Sequence, residues 1–342
     1  MKYEPSIDQT HLIGIVRKAY QLPVAELTFV PVGFAATCYV ARCGDGTRYF
    51  LKVWPDIRLG SARAARQETI LYLMRTLYER GIYTRLPYPL PTYDGALWTS
   101  CGTAPLAVFP FIVGQPLTTW TPALTDEWAR TIAAIHRVTP ALADALPPCE
   151  TFAIPFETDL RRCLELVRHI GSGERPRLQA LREALLSRRE ETMTQLSRLH
   201  RLQQVVRRLA GSFVLCHTDM GADNLLLDEH GQLYILDWDE AAFAPPEHDL
   251  HEARWIDVQR VFEVYKADGG VHPLHLDHFA FYLLRRFLGD MTARIVRMFE
   301  HNTSADEDAD ALDGIEAWGF AQWDVLDETL ENFAAALRRV NR

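Results

Sequence analysis

The segment from Leu215 to Glu240, LCHTDMGADNLLLDEHGQLYILDWDE, constrains the fold of this chain more than any other stretch. It places acidic and amide side chains beside short runs of leucine and isoleucine, which are typical of buried strands. These polar residues are Asp219, Asn224, Asp237 and Asp239. An unpaired charge near a buried strand is costly, so the segment must fold where something compensates its carboxylates.

A tight turn, DEHGQ, separates the two strands predicted within this segment. Antiparallel strands joined by such a turn bring the loop before the first strand close to the loop after the second. Asp219 and Asn224 lie in the first of these loops, and Asp237 lies in the second. Mg²⁺ prefers oxygen ligands and shares its coordination shell with phosphate oxygens, so magnesium with a nucleotide would compensate these charges. The spacing therefore favours a phosphoryl-transfer site in which Asp219 would orient an acceptor hydroxyl.

Length and composition narrow the class of protein. A chain of 342 residues exceeds the size at which a single hydrophobic core keeps growing, so two domains or lobes are expected. With 48% hydrophobic and 24% charged residues, the chain is an ordinary globular protein. The net charge of -9 argues against broad binding to nucleic acid or to anionic membranes, which requires clustered positive charge. An acidic protein of this kind suits a cationic small molecule as its partner.

The beginning of the chain, MKYEPSIDQTHLIG, has no basic stretch followed by a long apolar run. No segment reaches the roughly 18 apolar residues that are needed to span a bilayer. These features predict a cytoplasmic protein that does not enter the membrane. Nothing in the pattern indicates an oligomeric state.

Up to about residue 110 the pattern predicts a small β-rich unit with an inserted helix. After a first amphipathic helix, β-branched and aromatic residues predict an antiparallel meander over the segments LTFVPV, ATCYVAR and TRYFLKVW. A helix follows, SARAARQETILYLMRTLYERG, with Ser61 as a candidate cap and Gly81 as a stop signal. Two further strands are predicted at GALWTS and APLAVFPFI.

From Thr118 onward, apolar residues recur at the spacing of long helices, interrupted only by the strands within residues 212–236. Near the carboxyl end, the stretch HNTSADEDADALDG is rich in acids. We expect it to be a solvated acidic loop that connects two helices.

The pattern H-x-D-x-x-x-x-N of residues 217–224, followed by an I-L-D segment that ends at Asp237, resembles the catalytic and metal loops of the aminoglycoside phosphotransferases, relatives of the protein kinases. The resemblance implies an α+β, bilobal protein-kinase-like fold. Its N-lobe would be a small antiparallel β-sheet with one or two helices, and its C-lobe would be larger and mostly helical. The implied boundaries are residues 1–108 for the nucleotide-binding lobe, 109–117 for the hinge, and 118–342 for the catalytic and substrate-binding lobe.

The resemblance also implies roles for the residues of the two loops. Asp219 would be the catalytic base, and Asn224 and Asp237 would bind Mg²⁺. His217 is favoured as a brace that hydrogen-bonds to the backbone of the loop rather than as a proton carrier. Many relatives carry glycine where this chain has Asp239, so this carboxylate either supports the metal site or is a solvated turn acid.

In the amino-terminal lobe, the resemblance implies that Lys52 binds the α- and β-phosphates of ATP or GTP and pairs with Glu68 on the following helix. Backbone groups from Phe109 to Phe111, in VFPFIVGQPL, would bind the base of the nucleotide. Gly33 would lie in the loop that covers the phosphates. It is the single glycine of PVGFAATCYVAR, where a protein kinase has several.

The implied activity is transfer of the γ-phosphate of ATP or GTP to a hydroxyl of an aminoglycoside or aminocyclitol antibiotic such as spectinomycin, which would confer antibiotic resistance. Kinases of metabolites such as choline, methylthioribose or homoserine share the fold and form the first alternative. A metal-dependent hydrolase or nucleotide-sugar transferase that uses the DWD motif is an alternative of another class, and it would tolerate loss of Lys52. A catalytically inactive binding protein on a kinase scaffold is less favoured, because the base, the metal ligands and the Lys-Glu pair are all present.

Overall fold

The computed structural model of the chain describes residues 8–32, 36–142, 147–171, 173–209 and 211–340. The chain folds into two units, each assembled from two segments of the sequence. Unit 1 comprises Met1–Cys149 and Val214–Phe243, and unit 2 comprises Glu150–Phe213 and Ala244–Arg342. Within the described ranges, no helix is both long enough and apolar enough to cross a membrane.

Unit 1 contains the antiparallel sheet predicted from the β-branched and aromatic segments. A first helix, α1 (Gln9–Tyr20), precedes the five strands, which are β1 (Val24–Val30), β2 (Thr37–Cys43), β3 (Arg48–Val53), β4 (Thr99–Cys101) and β5 (Ala104–Pro110). Their order in the sheet is β1-β2-β3-β5-β4, and all neighbours are antiparallel. The first three strands form the predicted meander.

A hydrophobic core lies between α1 and one face of this sheet. Leu51 and Val53, alternate residues of β3, are buried in this core. Because successive side chains of a strand point to opposite faces, Lys52 lies on the other face of β3. Its cross-strand partners there are the small residues Cys38 and Ala107. The sheet therefore presents one lysine, flanked by small side chains, on the face that α1 does not cover.

The helix α2 (Ala62–Glu79) follows β3 and begins and ends where the sequence predicts. The Ser61 hydroxyl oxygen accepts a hydrogen bond from the Ala64 N–H at 3.2 Å, which satisfies one of the free amides of the first turn. Gly81 follows the helix with φ of +62°, a left-handed conformation that glycine adopts without a steric penalty.

The remaining elements of unit 1 hold the segment with which the sequence analysis began. They are β6 (Gln115–Pro116), α3 (Pro122–Arg137), β7 (Val214–Cys216), β8 (Leu225–Leu227), β9 (Leu233–Ile235) and β10 (Ala242–Ala244). β8 pairs antiparallel with both β6 and β9, and β10 lies beside β7. The predicted hinge at residues 109–117 therefore falls inside unit 1, and the lobe boundaries at 108 and 118 stay a prediction.

Unit 2 is helical in the described residues. Its helices are α4 (Glu157–Leu166), α5 (Pro176–Ser187), α6 (Arg189–Val206), α7 (Glu247–Leu250), α8 (Val258–Ala267), α9 (Leu276–Glu300), α10 (Ala305–Ile315), α11 (Ala321–Asp324) and α12 (Leu326–Val340). The long helix α9 contacts α4, α6, α7, α10, α11 and α12. Its buried apolar residues therefore hold the other helices of the unit together.

The acidic stretch predicted as a solvated loop is instead helix α10, so that expectation is wrong. Ser304 and Glu307 form a capping box, in which each side chain accepts a hydrogen bond from the backbone N–H of the other residue. Acids in the first turn also interact favourably with the positive end of the helix dipole. Ala311 and Ile315 are buried, so one face of this helix packs against the rest of the protein.

Candidate active site

The loop between β7 and β8 brings Asp219 and Asn224 into direct contact. The Asn224 side-chain amide donates hydrogen bonds to Asp219 Oδ2 at 2.9 Å and to the Asp219 backbone carbonyl at 3.0 Å. The Asn224 carbonyl accepts a hydrogen bond from the Leu236 N–H at 2.8 Å, directly before Asp237. The two loops that the sequence predicts to be neighbours are therefore joined by a backbone hydrogen bond.

His217 is completely buried, and its ring nitrogens bond to the backbone of both loops. Nδ1 accepts a hydrogen bond from the Asp219 N–H at 3.2 Å, so Nε2 carries the proton, and it donates to the Leu236 carbonyl at 2.7 Å. The ring also meets Trp238 edge to face, with centroids 4.9 Å apart. These contacts fix the tautomer of His217 and hold the loop of Asp219 against the loop of Asp237.

Two residues of these loops adopt the left-handed backbone conformation that non-glycine residues rarely enter. Thr218, directly before Asp219, has φ of +75°, and Asp237 has φ of +58°. Such a conformation costs on the order of 1–3 kcal/mol and persists only where the surroundings enforce it. The hydrogen bond from the Thr218 hydroxyl to the Glu240 carbonyl, at 3.1 Å, is part of that enforcement. Two of the four described non-glycine residues with positive φ are therefore Asp237 itself and the residue directly before Asp219.

Lys52 reaches from β3 to the second loop and forms ion pairs with both of its aspartates. Its Nζ donates to Asp237 Oδ1 at 2.6 Å and to Asp239 Oδ2 at 3.2 Å. Burial alone would lower the pKa of Lys52, but the two carboxylates outweigh burial and raise it. The charge of Lys52 is the main cause that lowers the pKa of Asp237. Lysine and aspartate are therefore both ionised at neutral pH.

Asp239 is held by two neutral donors in addition to Lys52. The Trp54 indole N–H donates to Oδ2 at 2.8 Å, and the Gln67 amide donates to Oδ1 at 3.2 Å. The Asp239 side chain is only 16% exposed, and Trp54 and Gln67 are buried. Of the two interpretations of Asp239 left open by the sequence, the solvated turn acid is therefore wrong.

The predicted ion pair between Lys52 and Glu68 is not among those of the described residues, which corrects that expectation. Glu68 is exposed on α2, whereas its neighbour Gln67 is buried and bonds to Asp239. Successive residues of an α-helix point in directions roughly 100° apart, so only one of the two side chains can face Lys52. The amide of Gln67 points to Asp239, and the carboxylates that pair with Lys52 come from the loop after β9.

The structure places the residues predicted to bind the nucleotide base on and after β5. Phe109 is buried in β5, where it pairs with Phe50 of β3. Phe111 follows the strand, and the Arg48 guanidinium lies 4.1 Å from the centroid of its ring. Base binding by this segment remains a prediction. Gly33 lies outside the described residues.

Asn224 and Asp237 are suited by their chemistry to hold a divalent cation. Both offer oxygen ligands, which Mg²⁺ prefers, and they lie on adjoining loops joined by the Leu236–Asn224 hydrogen bond. The lowered pKa of Asp237 keeps its carboxylate in the ionised form that metal binding requires, and its side chain is partly exposed. The donor set therefore fits Mg²⁺.

Trp54 and Gln67 belong to this site, and the sequence analysis did not identify them. Trp54 follows Lys52 by two positions, which is the spacing of residues on one face of a strand, so alternation could have suggested it. Gln67 gave no signal, because a glutamine within a helix is ordinary.

Comparisons with known proteins identify the family of the chain. Residues 26–270 match the model of the phosphotransferase enzyme family, APH. Protein StrN from Streptomyces griseus is 26% identical over 300 residues, which cover 83% of each chain. Among solved structures, spectinomycin phosphotransferase in complex with ADP and spectinomycin is similar, with a TM-score of 0.73, 17% identity, and coverage of 97% of this chain and 99% of that chain.

A second solved structure is an amicoumacin kinase in complex with AMP-PNP, Ca²⁺ and Ami, with a TM-score of 0.65, 16% identity and coverage of 94% of each chain. At these identities the structural likenesses show the fold alone, and that fold is the α+β, bilobal protein-kinase-like fold predicted from the sequence. Because the family model spans most of the chain, the protein is a phosphotransferase that belongs to the phosphotransferase enzyme family.

Proposed function

We propose that this protein transfers the γ-phosphate of ATP to a hydroxyl group of a small cationic molecule, an aminoglycoside or aminocyclitol such as spectinomycin. The observation that carries the proposal is the ion pair of Lys52 with Asp237, since it joins the lysine of the sheet to the acids after β9. Hydrogen bonds also link Asp219 to Asn224, and Asn224 to the residue directly before Asp237.

In this proposal Asp219 is the catalytic base. Its carboxylate accepts the proton of the acceptor hydroxyl while the oxygen of that hydroxyl forms a bond to the γ-phosphorus. The bond from the γ-phosphorus to the bridging oxygen breaks at the same time, and ADP leaves with the electron pair. The Asn224 amide orients the carboxylate through its hydrogen bond to Oδ2, at 2.9 Å. Positioning of this kind supplies much of the rate of phosphoryl transfer.

Lys52 holds the α- and β-phosphates in this proposal, and Asn224 and Asp237 hold Mg²⁺. When bound, Mg²⁺ supplies positive charge that offsets the charge of the phosphate oxygens. The bond between Lys52 Nζ and Asp237 Oδ1, at 2.6 Å, places the lysine and the proposed metal ligand side by side, within reach of one triphosphate group. Because ATP is a cytoplasmic substrate, we also place the protein in the cytoplasm.

Fold and charge bear on the class of substrate. The likeness to spectinomycin phosphotransferase concerns the fold, and the net charge of -9 favours a cationic acceptor without identifying it. A metabolite kinase is the alternative on the same fold.

A panel of acceptors tests the proposal. Purified protein is incubated with Mg²⁺ and either ATP or GTP, together with spectinomycin, other aminoglycosides, choline, methylthioribose or homoserine, and products are identified by mass spectrometry. We expect a phosphorylated aminocyclitol or aminoglycoside, and Lys52→Ala should lower its rate of formation by roughly two orders of magnitude or more. Phosphorylation of a metabolite alone would reject the antibiotic substrate. Hydrolysis that survives Lys52→Ala, without transfer of phosphate to any acceptor, would instead support a metal-dependent hydrolase.

A further inference from the structure

Lys52 lacks the carboxylate on α2 that the family resemblance implied for it, and Asp239 supplies one from the loop after β9. We propose that Asp239, held in place by Trp54 and Gln67, is the positioning residue for Lys52. The proposal rests on the proposed function in one respect, namely that Lys52 binds the phosphates of the nucleotide.

The hydrogen bonds of Asp239 leave its carboxylate little freedom to turn. Oδ2 accepts from the Trp54 indole and from Lys52, and Oδ1 accepts from the Gln67 amide. Trp54 is 1% exposed and Gln67 is 4% exposed, so both donors are fixed by the packing around them. Neither donor carries a charge, so neither competes with Lys52 for the negative charge of Asp239. The carboxylate is thus oriented by two neutral groups and presents its charge to the lysine.

The second partner of Lys52, Asp237, is less suited to this role. It is one of the two residues proposed to hold the metal, and its side chain is 42% exposed, compared with 16% for Asp239. A carboxylate that binds a divalent cation has less negative charge to offer the lysine. Asp239 therefore remains as the anionic partner of Lys52 when the nucleotide and metal are bound.

Both carboxylates that pair with Lys52 lie in the loop after β9, and helix α2 supplies neither of them. Trp238 lies between the two aspartates, is completely buried, and donates its indole N–H to the Ile235 carbonyl at 3.0 Å. A short, well-anchored turn thus carries both the proposed metal ligand and the partner of the lysine. Helix α2 contributes a neutral amide, so a shift of this helix would leave the ion pair of Lys52 intact.

A double-mutant cycle tests the proposal. Affinity for ADP in the presence of Mg²⁺ is measured by calorimetry for the wild type, Asp239→Asn, Lys52→Met and the double variant. We expect Asp239→Asn to weaken ADP binding by about 10- to 100-fold, the range for a hydrogen bond to a charged group. In the Lys52→Met background the same change should alter affinity by less than about 2-fold, because the partner is already gone. Equal effects in both backgrounds would overturn the proposal.

Further variants distinguish the positioning role of Asp239 from a role as metal ligand. Trp54→Phe keeps a large ring but removes the donor, and we expect a smaller loss of ADP affinity in the same direction. Glu240→Gln is the matched control, since it makes the corresponding change on the same turn at a side chain that is 77% exposed and bonded to Arg66. We expect it to bind ADP like the wild type. Loss of apparent Mg²⁺ affinity in Asp239→Asn, with unchanged ADP affinity at saturating Mg²⁺, would make Asp239 a metal ligand and reject the positioning role.

The binding measurement needs no acceptor, so it is independent of the phosphate transfer. A wild-type protein that binds ADP but phosphorylates no tested acceptor would contradict the proposed function, while the coupling between Lys52 and Asp239 would still be measured. A wild-type protein that does not bind ADP would overturn both. If Asp239→Asn fails to fold, Trp54→Phe in the wild-type and Lys52→Met backgrounds provides the same cycle.

Discussion

The pKa values of two buried basic side chains of this protein shift in opposite directions, because their neighbours differ. Lys52 meets the carboxylates of Asp237 and Asp239, whose combined effect exceeds that of burial and raises its pKa. Burial lowers the pKa of His248 to about 3, and the positive charge of Arg285 contributes in the same direction. Lys52 is therefore charged at neutral pH, whereas His248 is neutral and its Nε2 accepts a hydrogen bond from Arg285 at 2.9 Å.

The lowered pKa of His248 predicts a loss of stability in acid. The pKa of this histidine is about 6.5 in the unfolded chain and about 3 in the folded chain. Between these two pH values the unfolded state therefore binds more protons than the folded state. The contribution of neutral His248 is complete above about pH 6.5 and falls as the pH decreases through this window, by at most about 1.4 kcal/mol per pH unit. The free energy of unfolding in urea should therefore decline less steeply from about pH 7 to about pH 5 in His248→Gln than in the wild type.

The matched control is His230→Gln, a change at a histidine whose side chain is 74% exposed. We expect its free energy of unfolding to follow the wild-type dependence on pH. Wild-type and His248→Gln proteins with parallel profiles would show that His248 takes up its proton in the folded protein at an ordinary pH.

At this scale the sequence indicates which residues matter but not how they pair. The spacing of Asp219, Asn224 and Asp237 follows from a strand-turn-strand unit, which local sequence determines. The partners of Lys52 depend on how α2 and the loop after β9 pack against the sheet, and a difference of one position between Gln67 and Glu68 is beyond what periodicity resolves.

Among the elements, those with a strong local pattern were predicted well. The meander of β1 to β3 follows from alternating β-branched and aromatic residues, and α2 from its cap at Ser61 and its stop at Gly81. Helix α10 was missed because its acids suggested solvation, although Ser304 and Glu307 have the spacing of a capping box. Charge at the start of a helix is thus a poor indicator of a loop.

The aromatic cluster of unit 2 gives a prediction for these elements. Phe333 of α12 packs against Phe262 of α8 and Phe279 of α9, with ring centroids 5.8 and 4.8 Å away. Phe333 is completely buried, so Phe333→Ala leaves a cavity where three helices meet. We expect a loss of about 3–5 kcal/mol in the free energy of unfolding, measured in urea.

Glu331→Ala, at an exposed position of the same helix, serves as the control for Phe333→Ala. It should change the free energy of unfolding by no more than about 0.5 kcal/mol. Equal effects of the two substitutions would contradict the packing described for α8, α9 and α12.

At the scale of the whole molecule, the sequence predicted the fold class but divided the chain linearly. The compact units of the structure group residues 214–243 with the first 149 residues, while the predicted lobe boundaries stay a prediction. Pairing of β6 with β8 brings distant parts of the chain together, and such long-range pairing leaves no trace in local composition. One unit therefore contains Lys52, Asp219, Asn224 and Asp237.

The central claim is that this constellation transfers phosphate with Asp219 as the base. Mass spectrometry of an aminocyclitol acceptor incubated with ATP and Mg²⁺ tests it most directly, with wild-type and Asp219→Asn proteins side by side. The wild type should add one phosphoryl group to a hydroxyl of the acceptor. The variant should do so at least about 10²-fold more slowly, while its affinity for ADP stays within about 3-fold of the wild type. Equal rates of transfer by the two proteins would contradict the account.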